Sequence, residues 1–461
     1  VIGGRLRAAV LVVGLVTCPL AGAGEPDCAL PGRVEELLAL DRWQEALAEA
    51  RAVHEARPAS ANARAGLGEA QFRAGRLAEA EALLAPIAED AAACGTELAV
   101  LGLLRAAAGR HEEAVALMDR AVAVAPDEPR VLLRAAEVVI GRARAIELLE
   151  RYLAHSAGED PDRIEAARGA IDTHRALGDR EAWVLERAPE RIELPLQLIG
   201  AQGRLAAAVV RVDLGDPPRP VRLLLDTGSP GLFLVSRVAR KRGFEPLVEA
   251  TAFGGGGDQR HKDPRGIFPR FALGELVYRN ALATTTEYEL DATGRWHGVL
   301  GLAIFEGYLA EIDLERGRLR LERADVAGRT VVDAMRFWTV SGQMLVEARA
   351  RDGEPGLFLF DTGASVSVLD LAYAGGIEGV DVRKPAGMSS YGGPLAEARM
   401  AEGARVQLGA LDSGAGPLRA TDLSLRSRIG GVELRGFVGL DVLGGRRWLV
   451  DWSARTLRRL D

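Results

Sequence analysis

Residues 31–190 place apolar side chains at helical spacing. Ala46-Leu47, Ala50 and Val53 share one face, and comparable segments rich in Ala, Leu, Glu and Arg follow one another. The spacing predicts helix after helix. The segment also repeats itself. Leu67-Gly68 returns as Leu101-Gly102, 34 positions on; Gly75 returns as Gly109; Ala46, Ala80 and Ala114 keep the same step. Pro58 and Pro126 stand two steps apart, each closing a unit. Small residues at fixed places let paired helices approach closely. Residues 130–185 continue in a looser helical pattern, broken at Gly141 and at Gly158-Glu159-Asp160-Pro161.

The pattern changes near Ala188-Pro189-Glu190. From Ile192 onward, short Val/Leu runs such as Val221-Arg222-Leu223-Leu224-Leu225 alternate with Gly, Pro and Asp turns, which predicts strands to the C-terminus. This β region is doubled. Leu223-Leu224-Leu225-Asp226-Thr227-Gly228-Ser229 precedes Leu232-Phe233-Leu234-Val235; Leu357-Phe358-Leu359-Phe360-Asp361-Thr362-Gly363-Ala364 precedes Val366-Ser367-Val368-Leu369. Val299-Leu300-Gly301 follows the first and Phe437-Val438-Gly439 the second, with 75 and 78 residues from Asp to Gly. Each half closes on a strand-turn-strand, with Asp313 and Asp451 as turn residues. The expected organisation is a leader at 1–23, helical repeats at 28–188, and two β units at 192–328 and 329–461.

The net charge of −7 argues against nucleic acid as the main partner. Arg5 and Arg7, the apolar run at 8–20 and Ala21-Gly22-Ala23 read as an export signal. The run is short of the about 20 apolar residues of a membrane span. The expectation is therefore a periplasmic or secreted protein with no stable span; an uncleaved anchor and lipidation at Cys18 are the lesser alternatives. Cys28 and Cys94 remain after cleavage, and export permits a disulfide between them. No cysteine pair has metal-ligand spacing and the six His are scattered, so neither metal nor cofactor is expected. His261 reads as a loop residue and His297 as structural.

The 34-residue step resembles that of tetratricopeptide repeats. The paired Asp-Thr-Gly segments, each between two apolar strands and each with an apolar-apolar-Gly partner, resemble the pepsin and retropepsin superfamily. The resemblance is specifically to bacterial aspartyl peptidases with retropepsin-like units, over roughly residues 192–461. The expected fold is therefore multidomain: an all-α helical repeat array, then an all-β bilobal acid-protease-like fold of two pseudo-symmetric units.

The resemblance implies that Asp226 and Asp361 face each other at a pseudo-two-fold axis. Close carboxylates cannot both ionise, so they share a proton. One takes a proton from water and the other hydrogen-bonds the scissile carbonyl. Thr227 and Thr362 would tie the loops together, and Gly228 and Gly363 would bring the backbone close. Ser229 would hydrogen-bond its Asp; Ala364 has no hydroxyl to do so. Gly301 and Gly439 would let the next strand pass the loop. The flap candidates are Phe253-Gly254 and Tyr391-Gly392. The implied activity is an aspartic endopeptidase acting on an extended peptide, with helical repeats that bind protein. The alternative is a catalytically inactive peptide-binding scaffold of the same fold.

Overall fold

The computed structural model describes residues 29–460, apart from residues 202, 255, 258–259, 292, 328–333, 391–392 and 415–417. The expected leader, Cys28, the boundary at 328/329, Tyr391 and Gly392 lie outside the described residues.

The helical array runs α1 (Gly32–Ala39), α2 (Trp43–Ala56), α3 (Ala61–Arg73), α4 (Leu77–Leu84), α5 (Gly95–Ala107), α6 (His111–Val124), α7 (Pro129–Val138), α8 (Arg142–His155) and α9 (Pro161–Leu177). The repeated positions do the same work in each unit. Ala46, Ala80 and Ala114 are each fully buried. A Cβ on Gly68 would stand 2.8 Å from the Leu84 side chain, and one on Gly102 would stand 2.9 Å from the tip of Met118, so a larger residue would make the facing side chain give way. Gly75 and Gly109 turn the chain between those helices at φ 74° and 78°, backbone that favours glycine. Ser60 Oγ accepts from Ala63 N–H at 3.3 Å to open α3, and Asp160 accepts from Asp162 N–H at 2.8 Å, ahead of Pro161, to open α9.

The first β unit contains β1 (Val184–Arg187), β2 (Arg191–Ala201), β3 (Arg204–Leu214), β4 (Arg219–Leu225), β5 (Leu232–Val235), β6 (Glu245–Phe253), β7 (Arg260–Leu273), β8 (Leu276–Thr286), β9 (Gly298–Leu300), β10 (Tyr308–Asp313) and β11 (Arg318–Arg323), with short helices α10 (Ser236–Arg240) and α11 (Ala324–Ala327). The second contains β12 (Met335–Val340), β13 (Gln343–Ala350), β14 (Gly356–Phe360), β15 (Val368–Asp370), β16 (Ser389–Ser390), β17 (Gly393–Pro394), β18 (Arg399–Ala401), β19 (Val406–Leu408), β20 (Leu411–Asp412), β21 (Leu418–Thr421), β22 (Leu434–Val438), β23 (Arg447–Asp451) and β24 (Thr456–Leu460), with α12 (Leu371–Gly375), α13 (Ser424–Gly430) and α14 (Leu440–Leu443).

Pairing makes the two units copies of one plan. The first is ordered β3-β4-β9-β5-β8-β7 and the second β13-β14-β22-β15-β21-β18. In both, successive pairs are antiparallel, parallel, antiparallel, parallel and antiparallel. A sheet in the order β2-β11-β10-β23-β24-β12 joins the units, with three strands from each and the halves meeting where β10 runs antiparallel to β23. Its strands alternate as a half-buried sheet must: Leu319 and Leu321 point inward while Arg318 and Arg320 pair with Glu193 outside. Asp313 and Asp451 each accept backbone N–H groups of the turns that follow.

The array packs against its own β region. Phe72, Leu101 and Leu104 share one apolar cluster with Leu345, Leu357, Leu359, Leu434 and Phe437 of the second unit. Each such side chain stabilises the contact by roughly 1.5–3 kcal/mol. The turns within the repeats rest on this unit: a Cβ on Gly75 would stand 3.2 Å from Glu433 O, and one on Gly109 would stand 3.4 Å from Ser453 O. Beneath them Glu69 is buried between Arg73 Nε at 2.9 Å and Arg134 Nη2 at 2.6 Å. Burial pushes the Glu69 carboxyl up, but Arg134 and Arg73 outweigh it and hold it well below the usual carboxylate range. Cys94 is buried at the start of α5, its N–H donating to Glu97 at 3.0 Å.

Candidate active site

Both Asp-Thr-Gly loops leave the end of an apolar strand flanked by a parallel partner. Leu224 and Leu225 of β4 pair with Val299 and Leu300; Leu359 and Phe360 of β14 pair with Phe437 and Val438. Each Asp then donates its N–H to the partner strand at 3.0 Å, Asp226 to Leu300 O and Asp361 to Val438 O. The next residues, Gly301 and Gly439, run hard against the loops. A Cβ would stand 2.3 Å from Ser229 O at the first and 2.5 Å from Val366 C at the second, so only glycine fits.

The threonines cross between units. Thr362 Oγ1 donates to Leu225 O at 2.7 Å and accepts from Thr227 N–H at 3.2 Å. Thr227 Oγ1 donates to Phe360 O and accepts from Thr362 N–H at 2.9 Å. Both side chains are buried, at 2% exposure or less, so water does not compete for these bonds. The glycines close the centre. A Cβ on Gly228 would lie 2.7 Å from Asp361 Cγ, and one on Gly363 would lie 2.4 Å from Asp226 Cγ. Each loop therefore seats its glycine on the other loop's carboxyl, which brings the two carboxyls close enough for each to act on the other's ionisation.

The two carboxyls are not equivalent. Gly228 N–H donates to Asp226 Oδ1 at 2.8 Å; Asp361 Oδ1 accepts two N–H groups, from Gly363 at 2.8 Å and Ala364 at 3.0 Å. Burial pushes both upward. The charge of Asp361 drives Asp226 further up. Asp361 is restrained by its hydrogen bond from Asp226, by Arg426 and by its two N–H donors. Burial and the opposed charges thus favour one proton on the pair over none, and Asp361 is the member with the larger set of N–H donors. Ser229 does not reach its Asp as expected: its hydroxyl donates to Gly231 O at 3.4 Å within its own turn.

Several supporting residues carry no mark in the sequence. Arg426 Nη2 and Gln343 Nε2 each donate to Gly228 O at 3.0 Å. Gln343 is presented by a tight turn, with Ser341 and Gly342 at φ 50° and 72°, that packs on Pro230. Behind the second loop, Asp441 accepts from the N–H and hydroxyl of buried Ser367, at 2.9 and 2.6 Å. An arginine in a short helix looks like any surface arginine until the fold turns it inward.

Of the flap candidates, Phe253 ends β6 and Gly254 begins the tip of the β6–β7 hairpin. That tip crosses to the second unit: Gly257 N–H donates to Asp422 O at 2.8 Å, and Gly256 lies against Thr421. Tyr391 and Gly392 lie outside the described residues. His261 belongs to β7 rather than a loop; its ring lies 5.1 Å from Tyr288, held there by the strand register. Burial, with Arg222 and Arg237, pushes the His297 imidazole down, and the His297 backbone N–H donates to Arg222 O at 2.9 Å.

Residues 37–102, from the end of α1 into α5, match the family described as tetratricopeptide repeat. No curated protein matches the chain in sequence. Among solved structures, the aspartic proteinase from Irpex lacteus is similar at 15% identity, over 58% of this chain and 96% of that one, with a TM-score of 0.34.

Proposed function

We propose that this protein is an aspartic endopeptidase whose reacting groups are Asp226 and Asp361. One observation supports the reading: two strand-borne Asp-Thr-Gly loops are locked together by crossed threonine bonds, so that each loop's glycine lies against the other loop's buried carboxyl. A binding scaffold has no use for two buried carboxyls that oppose each other's ionisation. In the proposed reaction Asp361, ionised, takes a proton from water as its oxygen attacks the peptide carbon. Asp226 gives its proton to the carbonyl oxygen. The tetrahedral diol then collapses: the proton taken by Asp361 passes to the leaving amine, and Asp226 recovers its own. Thr227, Gly228, Thr362, Gly363 and Ala364 hold the loops, and the β6–β7 hairpin with Phe253 and Gly254 covers the substrate as a flap.

Two further parts belong to the proposal. Export, read from residues 1–23, puts the enzyme outside the cytoplasm; among the described residues no helix is long and apolar enough to cross a membrane. The array is the protein-binding part, holding a segment of its own chain on one side and offering its other helices to a substrate or docking protein. The test is hydrolysis of denatured casein between about pH 3 and 7 by the chain lacking 1–23, beside Asp226→Asn and Asp361→Asn. Cutting by the parent and by neither variant supports the reading. A folded parent that cuts nothing and binds no tetrahedral-diol mimic overturns it in favour of the inactive scaffold.

A further inference from the structure

The carbonyl of Gly228 is a junction. Gly228 lies on the Asp361 carboxyl, and its oxygen accepts from Arg426 and Gln343, both of the second unit. Arg426 is half-buried in the middle of α13. Its guanidinium carbon stands 5.3 Å from the centre of the Phe437 ring, and its buried Nε has no hydrogen-bond partner among the described residues. A ring face and one carbonyl compensate a desolvated cation poorly. Burial pushes the Arg426 guanidinium down, and the charges of Asp361 and Asp226, reached across Gly228, act against that.

A helix as short as α13 does not hold itself. At its start Gly257 of the hairpin tip donates to Asp422 O at 2.8 Å. The Asp422 carboxylate accepts from Ser424 N–H at 2.8 Å, and Asp370 accepts from Leu423 N–H at 3.1 Å. At its end Arg163 Nη2 donates to Arg428 O at 3.3 Å, and Arg73 Nη1 donates to Gly431 O at 3.2 Å. Arg428 stands 3.7 Å from Asp41 and 3.8 Å from Asp160. Asp41, Arg73, Asp160 and Arg163 all belong to the helical region. The array therefore grips the C-terminal end of the helix that carries Arg426.

We infer that Arg426 is a positioning residue for the Asp226–Asp361 pair, and that the helical array is its mount. A fixed cation beside both carboxyls favours the singly protonated pair over the doubly protonated one and draws the first ionisation to lower pH. Among the described residues, the other charges packed about α13 are Asp370 and Asp422 at its start and, at its end, Arg428 with Asp41, Arg73, Asp160 and Arg163 of the array; Asp441 lies behind the second loop, bonded to Ser367. The inference rests on reading the pair as the reacting centre, so its test does not depend on turnover.

The experiment follows the pair's titration by NMR in protein with ¹³C-labelled Asp carboxyls, assigned by difference against Asp226→Asn and Asp361→Asn. Arg426→Gln is expected to raise the first titration by about one pH unit, and Arg426→Lys by less than about half of that, because Lys keeps the charge. Arg428→Ala leaves Arg426 in the chain but loosens its mount, and is expected to move the titration the same way by a smaller step. A folded Arg426→Gln protein that titrates within about 0.2 pH unit of the parent overturns the inference, as does a Lys variant that shifts as far as Gln. If Gln does not fold, Arg426→Met, which keeps the contact with Phe437, is read in its place. If neither folds, Arg428→Ala decides, and an unmoved titration refutes the inference. A parent that cuts no peptide while the titration moves refutes the peptidase reading alone; a parent that cuts while it stays fixed refutes this one alone.

Discussion

Replacing Thr362 by Val tests the lock between the two loops. The side chains have nearly the same shape, so the change removes a hydroxyl and little else. Two backbone groups lose a partner: Leu225 C=O, now bonded at 2.7 Å, and Thr227 N–H, now bonded at 3.2 Å. Thr362 is 0% exposed, so water does not replace the hydroxyl. An orphaned buried polar group costs about 1–3 kcal/mol, so the two cost about 2–6 kcal/mol, and removal of the hydroxyl's own desolvation returns about 1 kcal/mol, which leaves roughly 1–5 kcal/mol, centred near 3. Thr362→Ser keeps the hydroxyl and loses one methyl, at about 1 kcal/mol. The reporter is Trp448, fully buried with its ring 5.1 Å from that of Phe360, whose carbonyl accepts from Thr227. Urea unfolding followed by tryptophan fluorescence should rank the parent above Ser and Ser above Val. Thr227→Val should give a similar loss, and the double variant should lose less than the sum, because either change frees the same two loops. A Val variant within about 0.5 kcal/mol of Ser would refute the claim that these bonds hold the centre together.

Three other outcomes follow from the same physics. Asp226→Asn should raise the urea midpoint at pH 7 and leave it unchanged near pH 3: burial and Asp361 push the Asp226 carboxyl up, so the folded state binds the extra proton and stability falls as pH rises above the ordinary carboxylate range. A pH-independent difference would sink this. Glu69→Gln should cost about 3–5 kcal/mol near neutrality, because it strands buried Arg73 and Arg134. Since the Glu69 carboxyl is held low, its contribution is present above the ordinary Glu range and fades as pH falls, so the deficit should shrink in acid when thermal unfolding is compared at pH 3 and pH 7. Finally, the hairpin β6–β7 is tied to α9 by Arg260–Asp162 at 2.7 Å, by Thr251–Glu165 at 2.6 Å and by Lys262–Glu165. Asp162→Ala with Glu165→Ala should change global stability by less than about 1 kcal/mol for each pair yet speed amide exchange along 245–273. Unchanged exchange there would mean that α9 does not restrain the hairpin.

Periodicity made much of this molecule readable. The 34-residue step set Ala46, Ala80 and Ala114 at buried helix crossings and Gly75 and Gly109 at left-handed turns, because helix packing recurs only if its smallest contacts recur. The doubled β pattern located both Asp-Thr-Gly loops, since strand, tight loop and strand each leave a local signature. Ser229 and His261 were misread because their partners depend on a turn and a strand register that neighbouring residues do not encode.

The sequence by itself therefore determined the parts: the helical repeats, the two β units, and the residue types at the centre of each. Those features rest on contacts between residues close in the chain or on a pattern repeated within it. Only the tertiary structure decided what the parts do to one another. It joined the units through β10 and β23, spent one side of the array on the second unit, and brought Arg426 and Gln343 to one carbonyl oxygen of the first loop. Each of these contacts joins residues far apart in sequence, and its energy comes from burying surfaces that exist only once both partners have folded.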